Sequence, residues 1–187
     1  GSNFYFVNVK ITDATGTELA SSMLSLVVFQ NVIMPQVSDL IAFGDSLSDM
    51  GNAKASVLNV PDVPPYWQGR FSNGPVWLEY VSDAFGLSTT VGSSTQQGDN
   101  RAFGGSQTGQ GFSYLLLPNV GTQINNYLAN VQSTFSPSNV VSLWAGGNDF
   151  LYGTANSNTI VANMESHIRQ LETAGATPFI IPNLPPL

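Results

Sequence analysis

A serine that follows a short apolar run is the first residue of this chain whose position suggests chemistry. Leu40–Phe43 is apolar, and it predicts a buried strand because the run is too short for a helix. Gly44 interrupts the run, and Ser46 follows shortly after it. The carboxyl end of a strand in an open α/β sheet is where ligands bind, and a serine on a tight turn there can act as a nucleophile. The alternative is an ordinary strand-to-helix turn in which Ser46 or Ser48 caps a helix. These residues alone leave both interpretations open.

Two other segments could supply hydrogen-bond donors to a negatively charged oxygen. Gly104 and Gly105 follow an apolar residue, and a glycine pair lets backbone N–H groups approach a ligand because no side chain intrudes. Such donors must lie about 3 Å from the developing charge. Asn148 follows a second predicted strand, Asn139–Trp144, and stands beside glycines. A turn also explains the glycine pair, and a helix cap or an Asx turn also explains Asn148.

Four separated motifs follow one another along the chain, and three of them contain the residues named above. They are Phe43-Gly-Asp-Ser-Leu-Ser48, Gly69-Arg-Phe-Ser-Asn-Gly-Pro-Val-Trp77, Asn100-Arg-Ala-Phe-Gly-Gly-Ser106 and Ala145-Gly-Gly-Asn-Asp149. Together they resemble the conserved blocks of the GDSL, or SGNH, hydrolases, and the resemblance covers roughly residues 39–187.

The resemblance implies a role for each of the residues singled out above. Ser46 would be the nucleophile of a carboxylic ester hydrolase that forms an acyl-enzyme. Gly105, with Gly104 as next choice, would donate its N–H to the oxyanion, and Asn148 would donate its side-chain amide. The implied substrate is a lipid, acyl or acetylated carbohydrate ester, and no metal or cofactor is implied. The Gly-x-Ser-x-Gly elbow of the α/β-hydrolases is not matched, because Ser48 stands where its second glycine belongs.

A serine nucleophile also needs a general base, which is normally a histidine oriented by a carboxylate. The one histidine, His167, falls within a predicted helix, and we expect it to be structural or to lie at the surface. In the family the base lies in a late Asp-x-x-His block, and the chain contains no such sequence. We therefore expect the catalytic Asp and His to come from a missing C-terminal portion or from a second chain that carries the rest of the domain. The alternative is a non-catalytic binding or adhesion module, or an inactive hydrolase fragment.

The elements that must position these residues follow from hydrophobic periodicity. Besides the two strands above, we predict a strand over 177–182, a helix with Pro75 in its first turn, a helix around Ile124 and a helix over 159–174. Strands that alternate with helices imply right-handed crossovers and a parallel sheet. The resemblance implies a flavodoxin-like, three-layer α/β/α SGNH hydrolase fold over residues 35–187, which we expect to be incomplete here.

The first part of the chain, residues 1–34, predicts a β hairpin. Residues 4–10 and 24–29 read as strands, and Asp13-Ala-Thr-Gly16 reads as the turn. Two interpretations stay open: the hairpin is the end of an immunoglobulin-like module, or it is an extension of the main domain. Residues 30–38 are predicted to be a linker.

Composition excludes several classes of partner. Only 9% of the residues are charged, and the net charge is −7 with five Lys and Arg. Nucleic acid is excluded because its phosphates require basic patches, and anionic lipid surfaces are disfavoured for the same reason. The chain has no cysteine, so disulfides and thiolate chemistry are excluded. We expect a protein that is secreted or displayed on a bacterial cell surface. For the cation Arg70 we expect an ion pair with Asp45 or Asp49.

Overall fold

The chain separates into two compact units, Gly1–Met34 and Pro35–Leu187. The computed structural model describes residues 2–12 and 18–29 by their backbone, and residues 37–87, 99–153 and 156–184 in full. The first unit consists of strands β1 (Ser2–Thr12) and β2 (Glu18–Phe29), which pair antiparallel from Ser2↔Phe29 to Thr12↔Glu18. The predicted strands lie within them, while the predicted turn at 13–16 and the linker residues 30–36 lie outside the described residues. The immunoglobulin-like origin of this hairpin stays a prediction.

A parallel sheet organises the second unit. Strand β3 (Asp39–Gly44) pairs along its whole length with β4 (Asn139–Trp144), and β4 pairs with the short β5 (Phe179–Ile180) in the order β3-β4-β5. An isolated parallel bridge from Ala42 to Asn100 adds a further contact to β3. The predicted α/β fold with a parallel sheet is therefore confirmed.

The described residues of the second unit contain five helices. They are α1 (Asn52–Ala55), α2 (Trp77–Ala84), α3 (Val120–Asn130), α4 (Gly147–Tyr152) and α5 (Ser157–Thr173). Alternation along β3 divides the core, since successive side chains of a strand point to opposite faces. Leu40 and Ala42 pack with Leu78 of α2, whereas Ile41 and Phe43 pack with residues of α3 and α5. The result is helix, sheet and helix in three layers.

Three details of the predicted elements were wrong. Helix α2 starts at Trp77 with Val76 as its N-cap, so Pro75 precedes the helix; the Glu79 carboxylate fixes this start by accepting the Val76 N–H at 2.7 Å. The last strand is limited to the half-buried Phe179–Ile180, where a longer buried strand was expected. The apolar periodicity of residues 159–174 predicts Val161 on the buried face of α5, but Val161 is exposed.

No helix among the described residues combines the length and apolarity that a membrane crossing requires.

Candidate active site

Strands β3 and β4 end side by side, which brings their following loops to one edge of the sheet. Gly44 is paired with Trp144 at this end. A Cβ at Gly44 would overlap the backbone carbonyl oxygen of Trp144, so the two chains approach as closely as only glycine permits. The turn after β3 carries Ser46, and the turn after β4 carries Asn148. The sequence motifs that contain these residues therefore meet at the carboxyl edge of the sheet.

Ser46 lies half-buried in a tight turn after β3. Within the described part of the chain its hydroxyl makes no hydrogen bond, and its backbone N–H has no acceptor. The turn closes through the N–H groups of Ser48 and Asp49, which donate to the Asp45 carbonyl at 3.1 and 3.0 Å. Neither serine caps a helix, because α1 begins at Asn52 with Gly51 as its N-cap. The Ser46 hydroxyl is thus available to a ligand.

The neighbouring serine is in a different environment. Ser48 is fully buried, and its hydroxyl accepts the Trp77 indole N–H at 3.2 Å. The Trp77 ring packs edge-to-face against Trp144, with the centroids 5.5 Å apart. Trp77 is partly buried against the core that Leu40 and Leu78 form. Ser48 is held by the core and does not face a ligand.

Gly104 and Gly105 differ in what their N–H groups contact. The Gly104 N–H donates to the Asp49 carboxylate at 2.8 Å, whereas the Gly105 N–H has no acceptor among the described residues. Gly105 has a φ of +79°, which an L side chain rarely adopts, and a Cβ there would lie 2.8 Å from Cδ1 of Leu115. The unoccupied donor is therefore on Gly105, the residue that the motif register had ranked first.

Asn148, in the first turn of α4, contacts the segment that contains Gly104 and Gly105. Its buried side-chain amide donates to the Ser106 carbonyl at 2.9 Å, one residue beyond Gly105. An amide nitrogen carries a second hydrogen, and Asn148 makes no other side-chain hydrogen bond within the described part of the chain. Helix α4 has Gly146 as its N-cap, so Asn148 is not the cap that the alternative interpretation required.

Asp49 holds the turn after β3 to the glycine segment, and the sequence analysis missed this role. Its buried carboxylate accepts the backbone N–H groups of Gly51, Asn52, Ala53 and Gly104 at 2.6–3.1 Å. Burial raises the pKa of Asp49 to about 6, while these four donors act in the opposite direction. Asp49 directly follows the first motif, and this position was the available signal.

Buried side-chain amides also connect the turn after β3 to the segment that begins at Asn100. Asn100 donates to the Ser48 carbonyl at 2.6 Å, and Asn52 donates to the carbonyls of Asn100 and Ala102 at 2.9 and 2.8 Å. Gln123 of α3 accepts the Gly44 N–H at 3.0 Å and donates to the Gly44 carbonyl at 2.9 Å. Asn100 stands in a recognised motif, whereas Asn52 lies shortly after the first motif. Gln123 lies in a helix without any motif, so no local pattern indicates its role.

Thr108 is fixed from two helices. The Asp149 carboxylate accepts its N–H at 2.9 Å and its hydroxyl at 2.6 Å, and Asn163 donates to the same hydroxyl at 3.0 Å. The buried His167 lies 2.6 Å from the Thr108 carbonyl through Nε2, which must therefore carry the proton. His167 and Asp149 thus serve structure, as expected for His167.

Asp45 is a buried carboxyl group beside Ser46. It accepts the Leu47 N–H at 3.0 Å. Burial raises its pKa to about 6, and the nearby charge of Asp149 adds to the increase.

The expected partner of Arg70 was wrong. Its guanidinium pairs with Glu79 at 2.7 Å and lies 5.0 Å above the Trp67 ring, so it contacts neither Asp45 nor Asp49. Glu79 already faces this loop because it caps α2, and a carboxylate that is half-exposed costs less to pair than a buried one.

In residues 37–87, 99–153 and 156–184, no group of three or more His, Asp or Glu side chains could hold a metal ion.

The fold, the turn after β3 and the donors around it define a class of protein. The model of the GDSL-like Lipase/Acylhydrolase family matches residues 40–187, and the chain belongs to this family. Two bacterial relatives are about one-third identical to it over the aligned residues. A phosphatidylcholine-sterol acyltransferase of Aeromonas hydrophila is 32% identical over 82% of this chain and 46% of its own length. A thermolabile hemolysin of Vibrio parahaemolyticus is 34% identical over 80% of this chain and 34% of its own length.

A plant protein is also similar. GDSL esterase/lipase 22 of Arabidopsis thaliana is 25% identical over 88% of this chain and 51% of its own length. The chain thus spans between about a third and a half of these relatives.

Proposed function

We propose that this chain carries the nucleophile and the oxyanion site of a carboxylic ester hydrolase of the lipase/esterase type. The observation that carries the proposal is the free Ser46 hydroxyl at the same sheet edge as an unpaired Gly105 N–H and the Asn148 amide. Membership of the GDSL family and relatives named as an acyltransferase and an esterase/lipase support chemistry at an ester bond. The proposed substrate is a lipid or another acyl ester.

In the proposed reaction the Ser46 oxygen attacks the ester carbonyl, and its proton passes to a general base. The carbonyl oxygen becomes an oxyanion that accepts hydrogen bonds from the N–H groups of Ser46 and Gly105 and from the Asn148 amide. Collapse of this intermediate expels the alcohol and leaves an acyl group on Ser46. Attack by water releases the acid, whereas attack by another alcohol would transfer the acyl group instead.

The base is proposed to come from outside this sequence. His167 cannot serve, because it is buried and its Nε2 is bonded to Thr108. Asp45 and Asp149 are also buried, and Asp149 is occupied by Thr108. We therefore propose that an Asp and a His from a further portion of the protein, or from a second chain, complete the site. Secretion or cell-surface location stays a prediction.

The experiment is a denaturing intact-mass spectrum after exposure to a fluorophosphonate serine probe. We expect one adduct on this chain, its loss in Ser46→Ala, and its retention in Ser48→Ala, because the Ser48 hydroxyl is buried against Trp77. The same spectrum shows whether a second polypeptide accompanies the chain. An unlabelled chain in the presence of such a polypeptide would contradict the proposal and favour a binding or adhesion module.

A further inference from the structure

Two segments near the proposed oxyanion site carry strongly exposed apolar side chains. One segment is the loop 112–116, and the other is the end of α4. The large side chains are Phe112, Tyr114 and Leu116, which are 64%, 55% and 77% exposed, and Leu151 and Tyr152, which are 62% and 58% exposed. We call these five residues the apolar rim. A soluble protein rarely leaves such a group of side chains in water without a use for it.

The rim is continuous with the candidate active site. The rings of Tyr114 and Tyr152 lie 4.5 Å apart between centroids, so the loop and α4 touch. A Cβ placed on Gly105 would lie 3.5 Å from Cε1 of Tyr114. Helix α4 also carries Asn148 in its first turn. One proposed oxyanion residue, Asn148, therefore lies on the same helix as two rim residues, and another, Gly105, lies next to Tyr114 of the rim.

The loop is built so that it presents these side chains. The Ser113 N–H donates to the Leu117 carbonyl at 2.8 Å, the Leu116 N–H donates to the Ser113 carbonyl at 2.8 Å, and Phe112 pairs with Pro118. Leu116 has a φ of +56°, an unfavourable conformation for a leucine. A branched apolar residue in this conformation, with its side chain in solvent, indicates a function other than packing within the chain.

The sequence around the rim is almost free of charge. From Ala102 to Met164 the one charged residue is Asp149, and Asp149 is buried against Thr108. An apolar surface without ionised neighbours can enter a lipid interface without the cost of removing water from a charge. The net charge of −7 disfavours an anionic surface. The matching partner is a lipid surface without net charge.

We propose that the apolar rim docks on the surface of aggregated zwitterionic lipid, so that Ser46 meets its ester at a lipid–water interface. This inference rests on the proposed function, and it narrows the substrate to a lipid in a membrane or micelle.

The test measures co-sedimentation of the Ser46→Ala protein with phosphatidylcholine vesicles. Turnover is not needed for this measurement, so it is independent of the proposed chemistry. We expect the full chain to bind, and a Leu116→Ser/Tyr152→Ser variant to bind at least about tenfold more weakly, which is the order expected when a buried leucine is removed. A Val57→Ser/Tyr80→Ser variant, which changes two exposed apolar residues outside the rim, should bind like the parent.

Each outcome supports or contradicts either the docking of the rim or the proposed function. Absence of vesicle binding, as expected if the rim binds another protein, would overturn the inference, and so would equal weakening by the rim and control variants. Tighter binding when phosphatidylglycerol is added would overturn the assignment to an uncharged surface. In a sample that also holds the second polypeptide, vesicle binding without fluorophosphonate labelling would contradict the proposed function alone, and labelling without vesicle binding would contradict the rim alone. Thermal melting of both double variants, all at exposed sites, verifies that they fold.

Discussion

Replacing Asp45 by Asn should remove a pH-dependent cost from the folded state. Asp45 is buried beside Ser46, and burial raises its pKa from the ordinary 3.8 to about 6. The folded protein therefore holds more protons than the unfolded chain between about pH 4 and 6, so the Asp45 contribution makes the protein less stable as pH rises through this range. Because a change of one in pKa corresponds to about 1.4 kcal/mol, the carboxylate costs about 3 kcal/mol above pH 6.

The assay is urea unfolding of the parent and of Asp45→Asn at several pH values from 4 to 8. We expect the free energy of unfolding of the variant, relative to the parent, to increase by about 3 kcal/mol between pH 4 and pH 7. The comparison matters because burial also raises the pKa values of Asp39 and Asp49 to about 6, and both groups contribute equally to parent and variant. Asp62→Asn, at an exposed position, is the matched control. A pH-independent difference for Asp45→Asn would refute the reasoning.

Three further substitutions test the proposed site, the first by turnover of an ester and the other two by urea unfolding. Asn148→Ala should lower kcat by about 10²–10³ with little change in KM, the usual loss for one oxyanion donor; an unchanged kcat would exclude it from that role. Gly105→Ala should unfold about 1–2 kcal/mol more easily, because its φ of +79° suits glycine, whereas Gly74→Ala, with open space around it, should not; equal urea midpoints would contradict this. Asp49→Asn leaves up to two buried N–H donors without an acceptor and should cost about 2–6 kcal/mol in urea unfolding; a cost below 1 kcal/mol would show that other groups hold Gly104.

The strands and helices that position the site were predictable because each has a local signature. The apolar run of β3 and its interrupting glycine gave both the strand and the place where it ends. The helical periodicity of α5 gave its extent to within two residues, since its actual bounds are Ser157–Thr173. Val161 is exposed because it lies about 100° around the helix from Ile160, away from the buried face that Ile160, His167 and Leu171 share.

The contacts that hold the site together were not predictable in the same way. Gln123 bonds to Gly44 across 79 positions of sequence, and Asp149 bonds to Thr108 across 41. Such pairs depend on which loops the sheet brings together, and neither partner carries a pattern that identifies the other. The prediction for Arg70 was wrong because Glu79 faces Arg70 only as a result of the local geometry at the start of α2.

The clamp on Thr108 has a consequence for how the protein responds to heat. Asp149 of α4 and Asn163 and His167 of α5 hold this residue, so the segment after Gly105 cannot move without disturbing two helices. This segment is therefore already ordered in the folded protein. Ordering it adds little entropic cost to the activation free energy of the proposed reaction. We expect the amide proton of Thr108 to exchange with solvent as slowly as those of the central strands. On heating, activity should then disappear together with the fold and not before it.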